Sequence, residues 1–133
     1  MVPCPWFPEI AAYAKAHPQA DFGVHLTHTS EWKKYRWGPV ASRSEAGGLL
    51  DADGYLWPDV QCVYQKARPE QAEVEARAQI RKALAAGIPD DQLYYNLGTA
   101  YGHLNNPGES HYYFGTFFKK KGKKDSALFH YRA

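Results

Sequence analysis

The chain has 133 residues, 44% of them hydrophobic and 23% charged. That is the size and composition of one ordinary domain. It excludes a complete (β/α)₈ barrel, which needs roughly 250 residues, and it excludes wholesale disorder. The net charge of +2 is too small to point to nucleic acid. Its distribution is uneven. Residues 1–90 carry 10 Lys/Arg and 11 Asp/Glu, a net of −1, whereas residues 91–133 carry 6 and 3, a net of +3. Lys119, Lys120, Lys121, Lys123 and Lys124 supply most of that excess, and such a run reads as the solvated end of a helix.

In chain order, Pro8, Glu9 and the terminating Pro18 frame a short helix over 8–17. From Asp21 to Thr27 the apolar Phe22, Val24 and Leu26 alternate with Gly23, His25 and Thr27, the pattern of a strand. Residues 30–48 have no period and read as a long loop rich in Trp32, Tyr35 and Trp37. Leu49-Leu50 and Tyr55-Leu56-Trp57 flank Asp51-Ala52-Asp53-Gly54, which reads as a hairpin with Asp51 and Asp53 as turn residues. Pro69 opens a helix over 69–86 with Ala76, Ile80, Ala83 and Leu84 on one face, and Gly87 caps it.

Beyond Pro89 the spacing predicts helices over 91–104, capped by Asp90, over 107–121, opened at Asn106-Pro107, and over 124–132. Tyr94-Tyr95-Asn96-Leu97-Gly98-Thr99-Ala100-Tyr101 aligns with His111-Tyr112-Tyr113-Phe114-Gly115-Thr116-Phe117-Phe118. Glycine inside a helix costs about 1 kcal/mol against alanine, so its repetition points to close helix packing.

Two segments resemble known families. Phe114, Gly115, Phe118, Gly122, Ala127 and Tyr131 follow the large–small–large–turn–small–large spacing of a tetratricopeptide repeat. Residues 92–133 thus resemble the helical tails of bacterial zinc metalloproteases. No H-E-x-x-H occurs, so protease chemistry is not implied. Residues 1–88, through D-F-G-V-H-L-T, S-E-W-K-K-Y-R-W-G-P and L-L-D-A-D-G-Y-L-W-P, resemble the YdjC-type carbohydrate deacetylases.

That second resemblance implies a barrel-like β/α fold and a divalent metal, Zn²⁺ or Mg²⁺, that assists removal of acetyl groups from N-acetylated sugars. It makes His25 a metal ligand; His28, where the family usually has an apolar residue, is a weaker second candidate only because i and i+3 can approach where a strand bends into a loop. The family's acidic N-terminal motif has no counterpart here, and Asn96 stands where the family has a later histidine. The expectation is therefore a catalytically incomplete, truncated deacetylase-like chain fused to a helical repeat. The expected fold is an incomplete α/β unit with a hairpin over 1–88, followed by an all-α three-helix tail over 89–133.

The other candidates keep two readings each. His25 is a metal ligand or an ordinary residue on a strand face. Trp32, Tyr35, Arg36 and Trp37 contact a sugar substrate, or the aromatics seal the loop. Tyr94, Tyr101, Tyr112 and Phe118 line a partner groove or pack the repeat. The alternative function is a protein–protein interaction module without catalysis. The expected partners are a protein or a second copy of the chain, with an N-acetylated oligosaccharide only for an active chain. Neither nucleic acid nor a membrane is expected. The N-terminus has no basic region before an apolar core, so a cytoplasmic location is expected.

Overall fold

A computed structural model describes residues 1–20, 22–87 and 91–133. The chain divides into two compact units, residues 1–89 and 90–133, and each is described by itself. The expected Pro89 breaker and Asp90 cap lie outside the described residues.

In the first unit, α1 spans Phe7–Ala16, with Glu9 in its first turn and Phe7, Ala11 and Ala14 buried. The α2 helix, Val60–Lys66, is not anticipated by the sequence pattern. Its N-cap is Asp59, whose carboxylate accepts from the Cys62 amide at 2.8 Å. The long α3 helix, Pro69–Ala85, matches the predicted span, and Gly87 follows it in the left-handed region at φ 64°. Trp37, Ala46, Leu49 and Leu56 form a buried cluster, with Met1, Cys4, Leu50 and Val63 packed against it. A short 3₁₀ turn, Gly47–Leu49, brings Leu49 into that cluster.

The expected α/β architecture with a hairpin is not what forms. The described residues are largely helical, and β pairing among them is limited to two isolated bridges, Thr29 with Trp57 and Leu50 with Leu56. The physical reason is where the backbone hydrogen bonds go. Thr27 takes both of its bonds from one side chain: its amide donates to Gln79 Oε1 at 3.0 Å and its carbonyl accepts from Gln79 Nε2. The alternation of Phe22, Val24 and Leu26 with the more exposed Gly23 and His25 is real. No ladder accompanies it among the described residues: a helix side chain takes both backbone groups of Thr27, and the His25 carbonyl accepts from the Val2 amide at 3.1 Å.

The hairpin fails for a similar reason. Asp51 Oδ1 accepts from the amides of Asp53 and Tyr55, each at 3.0 Å, and so closes the turn locally. The Leu56 amide turns away to the Trp37 carbonyl at 3.0 Å. One arm has meanwhile coiled into the 3₁₀ turn. Burial works to raise the Asp51 pKa, but the Tyr55 amide, the Arg36 guanidinium and the Asp53 amide outweigh it, and the carboxyl titrates below its ordinary value.

Polar side chains of α3 hold the unit's irregular segments. Glu75 and Gln79 are completely buried one helical turn apart. The Glu75 carboxylate accepts from the amides of Val40 (2.9 and 3.0 Å) and Ala41 (2.8 Å), and from Gln79 Nε2 at 2.7 Å. A buried polar group is tolerable only when satisfied in this way.

The second unit is three helices: α4 (Gln92–His103), α5 (Pro107–Lys120) and α6 (Lys124–Arg132). Asn105 turns the chain at φ 53°, and Asn106 caps α5 by accepting from the Glu109 amide at 3.3 Å. Gly122 ends α5 at φ 72°. The repeated glycines face aromatic rings. A Cβ on Gly98 would lie 2.8–2.9 Å from the Phe114 ring, and one on Gly115 would lie 2.6–3.0 Å from Tyr131. Ser110 Oγ donates to the Gly98 carbonyl at 2.6 Å, and Thr116 Oγ1 meets the Tyr131 hydroxyl at 3.2 Å. Lys120 and Lys121 reach Asp91 at 3.8 and 3.3 Å, exposed contacts of small worth.

Candidate functional site

The 25–31 segment forms one wall of an open cavity of about 680 Å³. His25, Thr27, His28, Thr29 and Glu31 line that wall, and Val60, Val63 and Tyr64 of α2 face it. Leu26, and Ala67, Arg68, Pro69 and Ala72 around the start of α3, complete the lining. The site exists because Gln79 pins Thr27, Ser30 donates its amide to the Trp57 carbonyl at 2.8 Å, and the Asp59 cap places α2 opposite.

His25 is exposed at the cavity mouth. His28 is half-buried, with Nε2 2.9 Å from the Ala72 carbonyl. Since a carbonyl only accepts, His28 carries a proton on Nε2. Thr29 Oγ1 donates to Glu31 at 2.7 Å. The chemistry is that of a small-molecule site: polar groups on one side and apolar surface with an open aromatic, Tyr64 at 83% exposure, on the other.

The loop residues separate into two groups. Trp37 is a core residue, 4% exposed, with Nε1 donating to the Thr29 carbonyl at 2.9 Å. Arg36 is held by Asp51 and by the Leu56 carbonyl, and lies 5.1 Å from the centre of the Tyr55 ring. Trp32 and Tyr35 are exposed, and Tyr35 meets Trp6 edge-on at 5.5 Å. Neither lines the cavity that holds His25.

In the tail, Tyr101 is buried and stacked on Tyr113, whereas Tyr112 is exposed. Tyr94 lies under the Lys120 ammonium, and Phe118 stacks on His130. Burial first, and His111 second, hold the His130 pKa below its ordinary value.

A catalytic zinc site takes about three protein ligands. Among the described residues, no group of three or more His, Cys, Asp or Glu side chains is placed to hold a metal ion. His25 therefore lacks its partners within the described residues, and these side chains by themselves do not fit a catalytic metal. Burial and then the Asp59 hydrogen bond raise the Cys62 thiol pKa, which keeps it in the less reactive protonated form.

Sequence reading missed Glu75 and Gln79, the side chains that position this wall. Both lie at i, i+4 on the stripe that continues to Ala83, and that spacing was the available signal. Among the described residues, no helix is long and apolar enough to cross a membrane.

The family model for YdjC-like protein matches residues 1–91, and the chain belongs to that family. A curated relative, the carbohydrate deacetylase of Thermus thermophilus, is 39% identical over 72 residues. The aligned stretch is 54% of this chain and 26% of the relative, so the chain spans about a quarter of that protein's length. The family match stops at the start of the second unit; α4, α5 and α6 lie beyond it.

Proposed function

We propose that the first unit is the sugar-binding portion of a carbohydrate-deacetylase-type site, and that this chain by itself binds an N-acetylated oligosaccharide without hydrolysing it. The observation that carries this reading is the cavity over the 25–31 segment, where His25, His28 and Glu31 face the apolar side of α2. Sugars present hydroxyls at their edges and apolar faces on their rings, and this wall pair suits both. Metal-assisted deacetylation would use His25, but it needs ligands that the described residues do not bring to it.

The test is titration of the full chain with N,N′-diacetylchitobiose, read by NMR. Saturable shifts at Thr27, His28 and Thr29, weakened about tenfold by Tyr64→Ala, with no acetate released, are expected. A folded chain showing no cavity shifts at millimolar sugar would dispose of this reading.

A second reading rests on the tail as a tetratricopeptide-like interaction module. It is favoured by the paired close packings Gly98–Phe114 and Gly115–Tyr131 and by the exposure of Leu128 (48%) and Phe129 (67%) on α6. Self-association is its simplest form. Sedimentation of the full chain against a Leu128→Ser/Phe129→Ser variant checks it: a dimer dispersed by the variant supports it, and a monomer in both cases removes it.

A further inference from the structure

The pair His111 and His130 has no role in the site above. His111 lies in the second turn of α5 and His130 near the end of α6. Their Nδ1 atoms are 3.1 Å apart. We propose that these two imidazoles form a binding site for a late first-row divalent transition cation, for which Zn²⁺ is the probe, and that the ion ties α5 to α6.

The separation is the first argument. A Zn–N bond is about 2.0–2.1 Å long, so two nitrogens at this distance can both bond one ion with an N–Zn–N angle of about 100°, close to tetrahedral. Imidazole suits zinc, nickel and copper, and water fills the remaining positions.

The second argument is preorganisation. The rings come from different helices, and His130 is the more firmly held of the two. His130 stacks on Phe118 with ring planes 15° apart, and the Phe114 and Phe129 ring centres each lie 5.2 Å from its own. His111 packs against Phe129 at 6.4 Å. The helices themselves are set by Gly115 against Tyr131 and by the buried Ala127. A site whose ligands are already in place binds with less ordering cost.

Access is the third. His111 also borders an open cavity of about 400 Å³ with Gly102, Asn105, Pro107 and Ser110, so it is reachable from solvent.

The proton balance closes. In the metal-free pair one Nδ1 donates and the other accepts. On binding, the donor's hydrogen moves through water to its own Nε2, and both Nδ1 lone pairs go to the ion. Two neutral imidazoles remain neutral, and no net proton is released.

The experiment is zinc titration of the full chain by calorimetry in a Cys4→Ser/Cys62→Ser background, which removes the free thiols. One ion per chain is expected, at least about tenfold weaker in His111→Asn and in His130→Asn, unchanged in His25→Ala, and accompanied by a higher Tm. Imidazole ¹⁵N spectra of the unsubstituted pair should show zinc-induced shifts at Nδ1 of both residues, a readout that stands even where a variant unfolds. Binding unaffected by either substitution, or no uptake by a folded chain at millimolar zinc, or shifts confined to other histidines, would overturn the proposal. None of these outcomes depends on sugar binding by the first unit.

Discussion

The two units solve the same problem with opposite materials. In the first, irregular backbone is held by two buried polar side chains, Glu75 and Gln79, which take up amides of Thr27, Val40 and Ala41. In the second, regular helices meet through aromatic rings laid on glycine, Phe114 on Gly98 and Tyr131 on Gly115. The contrast teaches where each unit is vulnerable. A hydrogen-bond hub fails when a partner is removed, whereas ring-on-glycine packing fails when a carbon is added.

The largest expected effect tests the hub. Glu75→Ala leaves the Val40 and Ala41 amides and one of the two Gln79 Nε2 hydrogens without an acceptor, and each such orphan costs roughly 1–3 kcal/mol. A loss of about 3 kcal/mol or more is expected in urea unfolding. Trp6, Trp32, Trp37 and Trp57 are all the tryptophans of the chain and all lie in the first unit, so their fluorescence isolates that transition. A loss under about 1 kcal/mol would break the comparison.

Gly48→Ala asks whether the first unit also has a steric weak point. Its Cβ would collide with the Gln71 carboxamide and lie 2.7 Å from the Lys66 carbonyl, which is backbone and cannot swing away. About 2–3 kcal/mol of destabilisation is expected in the same assay.

Gly115→Ala sharpens the other side of the comparison. Overpacking against Tyr131 costs about 1–3 kcal/mol, but alanine regains about 1 kcal/mol of helix propensity. A net loss of about 1 kcal/mol is expected by far-UV circular dichroism, with the tryptophan-monitored transition unmoved. Pairing the change with Tyr131→Ala should make it stabilising, because the propensity gain then stands alone.

The smallest effect is a pH dependence. The Asp51 pKa is lowered from 3.8 in the folded chain, so the unfolded chain takes up its proton first. Its contribution is therefore intact above pH 3.8 and disappears as pH falls through the lower folded value. Asp51→Asn should flatten that part of the tryptophan-monitored stability profile.

Helices were the legible part of this sequence. α1, α3 and α5 declare themselves by proline at the start, glycine or proline past the end, and apolar spacing between, while α4 and α6 fall on the spans that spacing alone predicts. The short α2 escaped because Val60-Gln61-Cys62-Val63-Tyr64 is rich in β-formers, and only the Asp59 cap betrays it. The alternation at Phe22, Val24 and Leu26 describes which side chains face inward, but a strand also needs a neighbour to pair with. That neighbour is a tertiary fact, and here α3 takes its place. For the site, His25 and His28 stand out in the sequence as candidate metal ligands; that both face one cavity is a tertiary fact. Trp37 could not be separated from Tyr35 by composition, since only the partner of its indole N–H, the Thr29 carbonyl, distinguishes a core tryptophan from an exposed ring.

The adjoining positions of Glu75 and Gln79 carry one more consequence, in time rather than in energy. The amides of Thr27, Val40 and Ala41 all end on a pair of side chains that are bonded to each other. Movement of that pair releases all three together, so deuterium is expected to enter them at correlated rates, despite their distance along the chain. The wall beside His25 and the root of the long loop are thus expected to share one clock, so that a ligand slowing exchange at Thr27 also slows it at Val40 and Ala41.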